Sequence, residues 1–256
     1  MFHQPTNSTG NYSYNGYLYH RTMCKMHFHR NYELISVVKG EVWVKTAHLE
    51  KTLTEGEMLI VPPNEPHSFT VYENSSKVWV GVFSEDHIPA FSKKLRGVCF
   101  SPFFCPERVW SFLCDQLFLK PETDLFERIG CLYLACAACE RYAEKLPSRE
   151  EADLIFQILS YIDQHFRENL TLAEIAKALG YEYHYFSTLF YTYFSVHFRE
   201  FLNTYRFEYA CEQMEKREKN LTEIALESGF GSIRSFNRVF RKQSGKTPRE
   251  YLEEKN

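Results

Sequence analysis

Glycine and proline are sparse, 11 and 10 in 256 residues, which excludes a collagenous chain, and a content of 44% apolar and 16% aromatic residues excludes a disordered one. Long apolar runs are missing: no stretch approaches the ~18 consecutive apolar residues of a membrane span. Residues Met1 to Ser8 lack the basic head and apolar run of a secretory leader. The expectation is a cytoplasmic chain with no membrane partner. Its cysteines (Cys24, Cys99, Cys105, Cys114, Cys131, Cys136, Cys139 and Cys211) are too thinly spread for a small disulfide scaffold, so free thiols are expected. An excess of positive charge is absent as well. With 30 Lys+Arg against 33 Asp+Glu the formal charge is -3, which as an average argues against a nucleic-acid partner.

The length suits two domains or one large one, and the hydrophobic period changes once along the chain. Residues 1–17, rich in Asn, Ser, Thr and Tyr, read as a flexible arm. From Met26 to Phe83 the pattern is short strands. Glu33 to Val38, the turn Lys39-Gly40 and the alternating Glu41 to Thr46 read as a hairpin, and Glu57 to Val61, Ser68 to Tyr72 and Lys77 to Phe83 continue the series. Strands so short and close predict a small sandwich or barrel over 18–105. Glu107 to Leu119 and Glu122 to Lys145 predict a helical hairpin and linker over 106–147, read as the dimerisation element, whose apolar stripe must bury against the barrel or a second copy of itself. Cys131, Cys136 and Cys139 match part of an iron–sulfur spacing but fall in an apolar helix, where packing is the better reading. The boundary falls at Leu146 to Glu151, and 148–256 reads as all helical.

Charge looks different when taken locally. Between Ser228 and Arg249 stand Arg234, Arg238, Arg241, Lys242, Lys246 and Arg249 without one acid; such a run suits phosphate binding rather than a merely solvated face. The same half contains an internal repeat. Leu172-Ala-Glu174-Ile175-Ala176 recurs 49 residues later as Leu221-Thr-Glu223-Ile224-Ala225, and Gly180 matches Gly229. From there the offset is 50: Phe186 matches Phe236, Phe190 matches Phe240, and Arg199-Glu200-Phe201-Leu202 matches Arg249-Glu250-Tyr251-Leu252. Thr171 with Glu174, and Asn220 with Glu223, have capping-box spacing. Each copy therefore reads as a short helix, a glycine turn and a second helix: the helix-turn-helix plan, present twice. A long helix from Phe198 to Lys216 connects the copies.

Ile224-Ala-Leu-Glu-Ser-Gly229-Phe230, then Ser235-Phe236-Asn-Arg238-Val-Phe240-Arg-Lys and Gly245-Lys-Thr247-Pro248-Arg-Glu-Tyr251, resemble the DNA-binding domain of the AraC family of transcription regulators. The resemblance covers the last ~100 residues and implies that the second helix of each unit enters one of two successive major-groove segments, roughly 10 base pairs apart. By position in the motif, His184, Ser187 and Thr188, then Ile233, Arg234, Asn237 and Arg238, are the base-edge candidates; Arg241, Lys242 and Lys246 are candidate phosphate contacts. The second helix of the first unit carries no Lys or Arg, a departure from the family, so the second unit is expected to dominate affinity.

In the N-terminal half, His27-x-His29-x3-Glu33 and the Pro62-Pro-Asn-Glu-Pro-His67 stretch place three imidazoles and a carboxylate in motifs that resemble those of the cupin barrel. Its metal-binding members use this donor set, which here implies a possible divalent metal at His27, His29, Glu33 and His67. The AraC-type context implies instead a sensor domain, with His27, His29, Glu33, Trp43 and His67 lining a site for a small-molecule effector such as a sugar. The fold expected is therefore two-domain α+β: a cupin-like β-barrel with a helical hairpin, then an all-α double helix-turn-helix. The function expected is an effector-controlled regulator binding a double-stranded DNA operator as a homodimer, with RNA polymerase as a further partner if it activates. The alternative is a metal-dependent cupin enzyme, a dioxygenase or isomerase, carrying an attached helical domain.

Overall fold

A computed structural model describes residues 2–3, 14–95, 97–120, 122–147, 150–194 and 196–254. The chain divides near Asp153 and Leu154 into two compact units.

The first unit contains strands β1 (Phe2–His3), β2 (Tyr14–Tyr19), β3 (Thr22–Phe28), β4 (Tyr32–Lys39), β5 (Glu41–Thr46), β6 (Glu50–Thr54), β7 (Met58–Val61), β8 (His67–Val71) and β9 (Lys77–Phe83). They form two sheets, ordered β1-β3-β8-β5-β6 and β2-β9-β4-β7. Side-chain alternation along the strands decides what faces what. Ile35 and Val37 of β4, Leu59 and Val61 of β7, and Val78 and Val80 of β9 meet Val42, Val44, Leu53, Phe69 and Val71 of the other sheet in one apolar layer. The alternate residues, Tyr32, Leu34, Met58, Ile60, Trp79 and Phe83, face the other way and pack under helical segments. This explains why β4, β7 and β9 read as nearly continuous apolar runs: both faces are covered.

The covering layer is α1 (Pro89–Leu95), α2 (Glu107–Leu113) with a π-helical extension over Cys114–Phe118, and α3 (Leu125–Tyr142). Cys131, Leu132, Cys136 and Cys139 of α3 are buried in this layer, so the apolar stripe is covered by the sheet of its own chain. All three thiols are pushed above their usual pKa, Cys139 to about 12, and burial is the main cause. A packing role suits such thiols better than a cluster-ligand role.

Three expectations change. Residues 4–13 of the anticipated arm lie outside the described residues, but Tyr14 to Tyr17 belong to β2, in register with β9 from Tyr14↔Phe83 to Tyr17↔Val80. Pairing with a buried strand overrides a composition that resembled a loop. Second, Lys39-Gly40 does not close a hairpin. β4 pairs with β7 and β9, while β5 pairs with β6 and β8, so Gly40, at φ +77°, turns the chain from one sheet into the other. Third, α3 starts later than Glu122, at an Asp124–Glu127 capping box.

The second unit contains α4 (Glu150–His165), α5 (Leu172–Ala178), α6 (Tyr183–Phe194), α7 (Phe198–Lys216), α8 (Leu221–Glu227), α9 (Ile233–Ser244) and α10 (Pro248–Glu254). Both anticipated capping boxes are formed, at Thr171–Glu174 and Asn220–Glu223. Gly180 and Gly229 turn each pair at φ +79° and +81°. Phe186, Phe190 and Phe194 of α6 and Phe236, Val239 and Phe240 of α9 are buried, each side chain contributing roughly 1.5–3 kcal/mol by burial. Within this unit α7 lies between the two helix-turn-helix pairs and packs on both: Phe201 against Phe190, Phe207 against Phe240.

Candidate functional site

The second unit contains α6 and α9, the second helix of each helix-turn-helix pair. Because Phe236, Val239 and Phe240 anchor α9, residues on its opposite side, Arg234, Asn237, Arg238 and Arg241, are exposed. Ile233 is 39% exposed. Arg234 and Arg238 have no ion-pair partner among the described residues. Lys242 differs: its Nζ lies 2.7 Å from a Glu200 carboxylate oxygen of α7, which partly offsets its charge towards phosphate. Lys246 follows the helix and is half-buried. On α6, His184 and Thr188 are exposed and Ser187 half-buried. The Thr188 hydroxyl donates to the His184 carbonyl at 3.0 Å, so its proton is committed to the helix itself. α9 thus offers exposed guanidinium groups, whereas α6 carries no Lys or Arg.

The first unit holds a polar cluster at one end of its apolar layer. His67 of β8 pairs across with His27 of β3 and Thr46 of β5, and it faces inward in step with Phe69 and Val71. Glu33 of β4 faces inward in step with Ile35 and Val37. His29 follows β3. All four are about 1% exposed, and one ligand atom from each lies within 4.8 Å of the others. Trp43 does not join them. It lies on the opposite face of β5 from the buried Val42 and Val44, because alternation decides facing and aromatic character does not.

The orientation of the imidazoles is set by main-chain carbonyls. Nδ1 of His27 donates to Lys25 O at 2.9 Å, Nδ1 of His29 to Asn31 O at 3.0 Å, and Nδ1 of His67 to Glu65 O at 2.8 Å. Since a carbonyl can only accept, each Nδ1 carries the proton and each neutral ring keeps its lone pair on Nε2. Nε2 of His29 lies 3.0 Å from Glu33 Oε2, and Nε2 of His67 lies 3.4 Å from the same oxygen. Lone pairs this close need a shared proton or a cation between them. Burial pulls His27 down to about 3 and lowers His29 as well. Burial also opposes charge on His67, but the adjacent Glu33 carboxylate lifts it above the usual 6.5. Glu33, pushed up by burial, is nevertheless held below the ordinary carboxylate range by His67 and His29. Glu33 Oε1 is buried without a hydrogen-bond partner among the described residues. The donor set therefore fits a divalent transition metal: three imidazole nitrogens and one carboxylate, oriented from behind.

Sequence reasoning found the four donors but not their supports. Glu65 has two roles: its carbonyl orients His67, while its carboxylate accepts from Ala47 N at 3.0 Å and meets His48 Nδ1 at 2.9 Å. Main-chain carbonyls leave no signature in residue type, so no motif could reveal them.

Comparison with known proteins places these features. A profile described as an AraC-like ligand binding domain matches residues 13–83, and a helix-turn-helix domain profile matches 175–254. An uncharacterised HTH-type transcriptional regulator of Staphylococcus aureus (strain MSSA476) is 36% identical over 99 residues, 39% of this chain and 13% of the relative. The HTH-type transcriptional regulator YijO of Escherichia coli (strain K12) is 26% identical over 148 residues, 56% of this chain and 52% of the relative. The chain thus spans only about an eighth of the first relative's length and about half of the second's. Among solved structures, ToxT from Vibrio cholerae O395 aligns over 94% of this chain and 97% of its own, at 17% identity and a TM-score of 0.47. No described helix is long and apolar enough to cross a membrane. With a ligand-binding profile in its first unit and a helix-turn-helix profile in its second, the chain belongs to the AraC-type family of HTH transcriptional regulators.

Proposed function

We propose that this protein is a sequence-specific, DNA-binding transcription regulator whose N-terminal domain, a cupin-like barrel in our reading, takes a small effector. The observation that carries the proposal is the exposed, acid-free side of α9, where Arg234, Asn237 and Arg238 stand clear of a buried apolar anchor. Arg can bond guanine O6 and N7 bidentately and Asn can bond adenine N6 and N7, so this face has the chemistry of major-groove readout. His184, Ser187, Thr188 and Ile233 complete the base-facing set, and Arg241, Lys242 and Lys246 would fix register on phosphates. The reading extends to a cytoplasmic homodimer on a two-site operator, with RNA polymerase as partner where it activates. Effector binding would bias a pre-existing equilibrium that sets how two reading domains are spaced. Genome-wide mapping of bound DNA in the native host is the test. Enriched sites that also shift in electrophoresis are expected, and the absence of any enriched site overturns the proposal.

His27, His29, Glu33 and His67 are the residues that would hold a divalent metal, which would supply positive charge and Lewis acidity when bound. This donor set favours one second reading, a metal-dependent enzyme of the dioxygenase or isomerase type. Turnover of a small substrate by the metal-loaded chain, with no salt-dependent duplex binding, would replace the first reading by the second.

A further inference from the structure

We infer that the cleft between the two reading helices is a binding site for the phosphodiester backbone, and that Arg199 of the connecting helix is its principal charge. The inference rests on the DNA-reading assignment and names a contact that the helix-turn-helix motif does not. The cleft, about 560 Å³, is bordered by Ser187 and Tyr191 of α6, Arg199, Asn203 and Arg206 of α7, and Arg238 of α9. Among the described residues no Asp or Glu lines it, in a chain whose acids outnumber its bases. An acid-free concavity with three guanidiniums and amide and hydroxyl donors is built for an anion.

The three arginines are not equivalent. Arg206 donates Nε to Phe166 O at 2.7 Å and Nη2 to Glu168 O at 2.6 Å, which pins it as part of the wall. Arg199 is exposed and has no ion-pair partner among the described residues. It lies in the first turn of α7, where the helix dipole disfavours a cation. Local stability therefore gives no reason for an arginine there, and the repeat places Arg249 likewise in the first turn of α10. Two readers in successive major-groove segments leave one stretch of backbone passing over the gap between them. Beside α6, which carries no Lys or Arg of its own, Arg199 would supply the missing neutralisation.

The test measures binding of the full-length chain to a generic 30-base-pair duplex by fluorescence anisotropy across a potassium chloride series. Arg199→Gln should flatten the log–log salt dependence by about 0.9, so that raising salt from about 50 to about 200 mM weakens the variant roughly threefold less than the wild type. Asn203→Ala should weaken binding without changing the slope. Arg199→Lys should restore the slope, and Lys219→Gln, which is not among the cleft's lining residues and pairs with Glu227, should leave it unchanged. An unchanged slope in Arg199→Gln, with duplex binding intact, overturns this contact and leaves the DNA-reading proposal standing. A wild-type chain that binds no duplex removes both. If inorganic phosphate at micromolar levels displaces the duplex, the cleft is a small-anion site and the backbone assignment is wrong.

Discussion

Gly180 and Gly229 occupy equivalent positions in the repeat, with φ of +79° and +81°, yet replacing each by alanine should cost different amounts. The left-handed conformation alone costs a non-glycine residue ~1–2 kcal/mol, and this applies to both. A Cβ at Gly180 would meet nothing within 4 Å. At Gly229 it would lie 2.7 Å from the Phe166 carbonyl oxygen and 2.8 Å from Arg167 Cα, main-chain atoms that cannot rotate aside. Relieving that overlap requires a backbone shift between the second helix-turn-helix and the end of α4, adding a further ~1–3 kcal/mol. In urea titrations followed by far-ultraviolet circular dichroism, Gly180→Ala should lower the midpoint by roughly 1 M and Gly229→Ala by roughly 2 M, with the slope unchanged. Equal losses, or a larger loss at Gly180, would refute the claim that close approach and not conformation alone fixes Gly229.

Arg238→Ala should weaken duplex binding by ~1–3 kcal/mol, seen as a roughly 5- to 150-fold loss in anisotropy titrations, while Thr188→Ala changes it less than about threefold; the reverse order would show that the first helix-turn-helix dominates. Native mass spectrometry of the purified chain should find one divalent transition ion per molecule. His67→Ala should abolish it, and Glu33→Gln should lower affinity by at least about 10-fold. In the chain stripped of metal by a chelator, stability should fall on acidification, because His27 stays neutral to about 3 in the folded chain but takes a proton near 6.5 when unfolded, so the unfolded state binds the extra proton across that interval. Glu33 acts in the same direction below 4.5. The raised His67 opposes both, contributing stability below 6.5 that is lost as pH rises through its folded value. Melting temperatures at about pH 7.5 and about pH 4.5 should therefore converge in His27→Asn, and an undiminished gap would exclude His27 as the source.

The C-terminal half was legible almost residue by residue, because its determinants are local. Capping boxes, glycine turns and the Phe186 and Phe236 spacings act within a few residues, and α7 has the bounds its periodicity predicts, Phe198–Lys216. The N-terminal half was less so. β2 exists because β9 accepts it, and β6 because β5 does, and partner choice between strands is not encoded within either strand. The same limit explains the misread turn at Gly40, where a two-residue link that suits a hairpin also suits a change of sheet. The donors of the histidine cluster were visible as residue types, but their convergence depends on the bulge between Cys24 and His27 and on carbonyls with no sequence mark.

The helix joining the two readers has 19 residues, a rod of about 28 Å. A rod of this kind couples length to rotation: one inserted residue would lengthen it by ~1.5 Å and swing the second reader by about 100°. On the proposed DNA-reading role, spacing between two half-sites could not be retuned in single-residue steps, since every small insertion would point α9 away from its groove. If the proposed reading holds, specificity can diversify at Arg234, Asn237 and Arg238, whereas the distance between the sequences read is inherited as a constant.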